Sequence, residues 1–191
     1  MKLRIAMCLI VFAFAAWPQS DVQPGSQPSP MEALANTQGA RIIWFNEVGR
    51  MEHDGRSVVI TALALQDSAQ PAHKMRGVKI DLSSGGSHDT IYLDEESTAR
   101  TRAALEEIAN AVSRSGGVRS SGCMGAKEFW PLYDWPWNKY HELNVDYCGD
   151  TTGSALVLYG RGKSTSFRFE GEHPMGLAGM LGDAMEQLKQ H

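Results

Sequence analysis

The chain has no apolar run long enough to cross a membrane, no surplus of positive charge, only three cysteines and no recognisable spacing of catalytic or metal-binding residues. Each absence narrows the function. A membrane-crossing helix needs about 20 apolar residues, whereas the run from Ile5 to Ala16 is broken early by Pro18, Gln19, Ser20 and Asp21. Preceded by Lys2 and Arg4 and ending in Ala13, Phe14 and Ala15, that run reads as a signal peptide over residues 1–15, with cleavage near Ala15 or Ala16. Cys8 has too little hydrophobic sequence ahead of it to serve as a lipoprotein acceptor. The expected localisation is therefore periplasmic or secreted, without a stable membrane span after cleavage.

Loss of the signal leaves 16 basic and 22 acidic residues, a formal net charge of −6 against −4 for the whole chain. A nucleic-acid partner calls for a basic face that displaces counterions, so this balance argues against one and leaves protein and sugar partners. Two cysteines remain, Cys123 and Cys148. In an exported chain an even pair reads as a disulfide rather than as thiol chemistry or half a zinc site. Closing that loop would contribute roughly 3 to 4 kcal/mol in the chain-entropy view.

The letters that suggest chemistry do not assemble into it. Gly160, Arg161, Gly162, Lys163 and Ser164 resemble the end of a phosphate-binding loop, but Val157 stands where its first glycine belongs and a strand pattern follows. A phosphate cradle needs backbone N–H groups at a helix N-terminus. Ser87, His88 and Asp89 are consecutive, and neighbours on a strand point to opposite faces, so they cannot form the relay that acyl transfer requires. The histidines at 53, 73, 88, 141, 173 and 191 show no helical i, i+4 pair. His53 with Asp54 and His88 with Asp89 fall in turn-like sequence, where aspartate bonds its own backbone. No metal or cofactor is expected.

Residues 16–39 carry prolines 18, 24, 28 and 30 among Gln, Ser and Gly, which reads as a flexible lead. Residues 40–191 then suffice for a single domain. Arg41–Val48 is apolar on both faces, His53, Asp54 and Gly55 turn the chain, and Ser57–Gln66 forms the returning strand. Val78, Ile80 and Leu82 alternate with Lys79, Asp81 and Ser83, the period of a half-buried strand. A turn at Gly85 and Gly86 leads into Thr90–Leu93.

Asp94, Glu95 and Glu96 supply a cap and an acidic first turn for a helix whose Leu105, Ile108, Ala109 and Val112 share one face, with Gly116 and Gly117 as its stop. Strand patterns return around Leu143, Val145 and Tyr147, around Ala155–Tyr159, and at Phe167 and Phe169. Pro174 then opens a C-terminal helix with Leu177, Leu181, Met185 and Leu188 on one face. Gly176, Gly179 and Gly182 recur along it and predict close packing on the sheet. The expected fold is α+β: an antiparallel sheet with two helices packed on one face, in the order strands, helix, strands, helix.

The most unusual stretch is Phe129, Trp130, Tyr133, Trp135, Trp137 and Tyr140, interrupted by Pro131 and Pro136 and bracketed by Cys123 and Cys148. Trp and Tyr give large contact area with a polar edge at small entropy loss. Trp130, Tyr133, Trp135, Trp137 and Tyr140 are therefore the candidate partner-binding residues. Two other readings of the segment stay open. The rings fold inward as a satellite core, since large aromatics are mostly well buried, or Glu128, Asp134 and Glu142 act beside them as the carboxylates of a glycan hydrolase. A self-associating envelope subunit is a further alternative. The leading expectation is a non-enzymatic binding module, of inhibitor or immunity type, that holds a protein partner through the aromatic loop.

Overall fold

The computed structural model describes residues 29–114, 122–125, 144–149, 154–159 and 166–191. The signal sequence and most of the lead lie outside these residues, as do Gly116, Gly117, Leu143 and the turns expected at 150–153 and 160–163.

Two antiparallel meanders, each followed by a helix, build the fold. The first runs β1 (Ala40–His53), β2 (Arg56–Asp67), β3 (Lys74–Ser84) and β4 (Ser87–Asp94), then α2 (Glu95–Arg114). The second runs β5 (Gly122–Gly125), β6 (Asn144–Gly149), β7 (Ser154–Tyr159) and β8 (Ser166–Glu170), then α3 (Pro174–Leu188). The α+β class and the order of strands and helices are those expected from the sequence. The strands divide into two four-stranded sheets rather than joining one.

Local chemistry explains the turns and caps. Asp54 and Gly55 both take positive φ, 46° and 72°, and close the β1–β2 hairpin as a two-residue turn whose twist matches the strands. Gly85 and Gly86 do the same between β3 and β4. The Asp94 carboxylate accepts from the Ser97 amide at 2.7 Å and so caps α2. Pro174 occupies the first turn of α3, where its missing N–H leaves no bond unmade.

Both sheets feed one core. Val58, Ile60, Ala62, Val78, Ile80, Leu82, Ile91 and Leu93 cover one face of the first sheet. They meet Leu105 and Ile108 of α2, Leu177 and Leu181 of α3, and Val145, Tyr147, Leu156, Leu158, Phe167 and Phe169 of the second sheet. The Arg56 guanidinium donates to the Arg168 carbonyl at 3.4 Å and links β2 to β8.

The opposite face of the first sheet is covered at one end by a helix that composition had assigned to the lead. This is α1 (Pro30–Ala35), capped by Ser29, whose Met31 and Leu34 are buried against Leu63 and Leu65. Proline at 30 marks its first turn rather than continued disorder. Composition averaged over residues 16–39 hid two apolar anchors three residues apart, which a single helical turn can bury.

The glycines of α3 do not make the close approach that their spacing suggests. Gly176 and Gly179 are exposed, and a Cβ at Gly179 would meet nothing within 4 Å. Only Gly182 faces a near neighbour, the Arg102 guanidinium of α2. Ala178 and Ala184 supply the small buried positions instead. Gly179→Ala should stabilise the protein by about 0.5 to 1 kcal/mol, because glycine in a helix interior forfeits backbone entropy for no packing gain. A denaturant midpoint unchanged or lowered would contradict this.

Candidate functional site

The aromatic segment is framed by β5 and β6. They pair antiparallel, with Gly122 opposite Gly149, Cys123 opposite Cys148 and Gly125 opposite Asp146. The chain therefore leaves β5 and re-enters β6 at the same end of the second sheet. Trp130, Tyr133, Trp135, Trp137 and Tyr140 lie outside the described residues, as do Glu128, Asp134 and Glu142.

Opposed residues of an antiparallel pair have Cα atoms about 4.5 to 5.5 Å apart, within the span a disulfide accepts. Val145 and Tyr147 of β6 are buried in the core as their alternation predicts. Cys148, on the face opposite Val145 and Tyr147, is also buried, at 6% exposure, whereas Asp146 on that face is half-buried. The Tyr147 hydroxyl bonds Ser154 Oγ at 2.7 Å, and its ring lies edge-on to His173, with centroids 5.6 Å apart. His173 Nδ1 accepts the Met175 amide at 3.3 Å as the cap of α3. His173 thus holds a structural junction between β6 and α3.

His53 and His88 stay apart. His53 lies opposite Arg56 on the core face of β1, whereas His88 pairs with Ser83 on the other face of the sheet. Two strands separate β1 from β4, a distance of about 14 Å at ordinary strand spacing. Among the described residues no group of three His, Cys, Asp or Glu side chains is placed to hold a metal ion.

His88 does join a polar cluster that linear spacing did not reveal. Thr90 Oγ1 donates to Asp81 Oδ1 at 2.8 Å and lies 3.1 Å from His88 Nε2, while Lys79 Nζ sits 2.7 Å from Asp81 Oδ2. His88 Nε2 is also the nitrogen nearest Asp81, at 3.8 Å. A nucleophilic relay needs the acid on Nδ1 and the hydroxyl on Nε2. Here acid and hydroxyl face one nitrogen, and the Thr90 proton is directed to the acid, so this is a surface network and not a triad. Asp89 accepts from the Thr90 amide at 2.9 Å, but it and His88 lie within β4, paired with Leu82 and Ser83, rather than in the turn their sequence suggested, which Gly85 and Gly86 form instead.

A second candidate surface is the outer edge of β1, which the sequence presented as a strand apolar on both faces. Phe45, Ile42 and Ile43 are exposed by 68%, 49% and 43%. Trp44 and Val48 turn inward to the core, and the Trp44 ring stacks at a tilt on His191, with centroids 4.2 Å apart. Asn46 donates to Gln187 at 2.7 Å. These contacts dock the inner face of β1 on α3, and among the described residues no strand pairs with its outer edge. Arg50 lies between Glu47 and Glu52, and the hydrogen bonds it donates to the Glu47 carboxylate first and then to that of Glu52 hold its guanidinium above the ordinary arginine pKa.

No protein-family model matches the chain, and no curated protein matches it.

Proposed function

We propose that this protein is an exported, non-enzymatic binding module, of inhibitor or immunity type, that engages a protein partner through the aromatic segment between Cys123 and Cys148. The reading rests chiefly on the register of β5 and β6. It sets the two cysteines opposite each other, so a bridge there would close both ends of a stretch containing three tryptophans and two tyrosines between residues 130 and 140. Restricting such a loop before binding lowers the entropy lost on capture, and Trp and Tyr are the residues that most often anchor protein interfaces. Export follows from Lys2, Arg4 and the apolar run after them. A thiol titration of the unfolded chain that found Cys123 and Cys148 both free would remove the bridge from this proposal.

The decisive experiment replaces Trp130, Trp135 and Trp137 together by alanine. The triple variant should lose capture of the protein that the parent chain retrieves from an exported fraction, while its melting curve stays close to that of the parent. Undiminished capture would exclude the segment as the binding site. Collapse of the fold would assign the rings to a satellite core instead.

A further inference from the structure

We propose that the outer edge of β1 is a self-association surface, on which the first sheets of two copies of this chain join antiparallel about a twofold axis. β1 spans fourteen residues, and among the described residues no strand pairs with its outer edge. An edge strand presents a row of backbone donors and acceptors ready to pair. The other edge of the same sheet is treated differently. β4 is shorter, and the Ser29 hydroxyl at the start of α1 donates to the Tyr92 carbonyl at 2.9 Å.

The faces of β1 restrict how a second copy can sit. Ile42 lies opposite Leu65 and Phe45 opposite Leu63, so both belong to the α1 side of the sheet. Arg41, Trp44 and Asn46 lie opposite Gln66, Ala64 and Ala62 and belong to the other side, the register shift between Ile42 and Trp44 accounting for the change of parity. Residues facing each other across a continuous sheet must share a side. A twofold axis between Ile43 and Trp44 meets this condition. It sets Ile42 against Phe45 of the second copy, Arg41 against Asn46 and Ala40 against Glu47, each twice.

This register brings the most exposed apolar side chains of β1 together and places no like charges opposite one another. The strand itself is balanced, with Arg41 and Arg50 against Glu47 and Glu52, although the whole chain carries −4. Two acidic molecules can therefore meet along this strip without the repulsion that an acidic strip would impose. Such a contact is isologous, so each copy presents the same edge and assembly closes at the dimer. The register shift at Glu47/Gly49 ends the paired stretch at Glu47, which further disfavours an open ribbon. This association is independent of the aromatic segment.

Sedimentation of the purified chain over a concentration series tests the proposal. The parent should pass from monomer to dimer, and Phe45→Lys should raise the dissociation constant by roughly 100-fold with an unchanged melting curve at concentrations where the parent is monomeric, since this side chain is mostly in solvent. A mixture of Ile42→Cys and Phe45→Cys chains, oxidised together, should yield a covalent dimer in excess of either variant alone. A parent that stays monomeric throughout overturns the proposal. So does a dimer indifferent to Phe45→Lys, which would place association elsewhere, or a monomeric parent in which Phe45→Lys abolishes capture of a different protein, which would make β1 a strand-addition site for another chain. The tryptophan triple variant should dimerise like the parent, so failure of the aromatic-loop reading and failure of this one are separable.

Discussion

Phe169→Ala should lower unfolding free energy by about 3 to 5 kcal/mol, the range for truncating a buried aromatic and leaving its cavity. Against a typical total of about 5 to 15 kcal/mol, such a loss brings the protein close to unfolding. Phe169 is fully buried on β8, opposite Leu156 of β7, and Phe167 is likewise buried opposite Leu158. Both rings enter the cluster that also holds Ile60 and Ile80 of the first sheet, Leu105 of α2 and Leu181 of α3. The cavity would open where the two sheets and both long helices meet. Urea unfolding followed by far-ultraviolet and near-ultraviolet circular dichroism should give one transition, displaced equally in both signals. A variant in which only part of the far-ultraviolet signal shifts would show that the second sheet melts by itself, contrary to a shared core.

That core was legible in the sequence because alternation and helical periodicity report burial directly. Val78, Ile80 and Leu82 announced one face of β3, Phe167 and Phe169 one face of β8, and Leu105, Ile108 and Ala109 the inner stripe of α2; all are buried. The hairpins were equally readable, since Asp54 with Gly55 and Gly85 with Gly86 can take the positive φ that a two-residue connection demands. The division into two sheets was not, because a strand pattern fixes which face is apolar but not which strand lies beside which. Arg41–Val48 carries apolar residues on both sides, a pattern that does not say where in a sheet the strand lies. Its place at the edge of the sheet leaves Ile42, Ile43 and Phe45 in solvent, and periodicity contains no information about that.

The short helix α1 and the α3 glycines failed for a different reason. Proline-rich composition averages over Met31 and Leu34, whose burial depends on Leu63 and Leu65 about thirty residues away. The regular spacing of Gly176, Gly179 and Gly182 suggests a contact, yet two of the three face solvent. Of the candidate site, the sequence offered the residues and the register of β5 with β6 adds how their bracketing cysteines stand. The Asp81, His88 and Thr90 network was hidden because it is formed across the β3–β4 ladder rather than along the chain.

A glycine without any periodic signal is where backbone approach matters most. Gly77 lies on β3 between Leu63 of β2 and Asp94 at the end of β4. A Cβ there would overlap the Leu93 carbonyl oxygen and crowd the Leu93 carbonyl carbon and Asp94 Cα at 3.1 and 3.2 Å. These are backbone atoms, so no side-chain rotation relieves the clash. The displaced segment is also the one that caps α2 through the Asp94 carboxylate, and moving it strains both the last pairs of β4 and the first turn of the helix. Gly77→Ala should therefore destabilise by about 3 kcal/mol, at the upper end for overpacking in a well-filled site. This is opposite in sign to Gly179→Ala, although the chemical change is identical and each site lies inside a regular element. Chemical denaturation of the two variants side by side checks the contrast. A Gly77→Ala protein as stable as the parent would mean that β3 and β4 do not approach as closely at this point as their pairing implies.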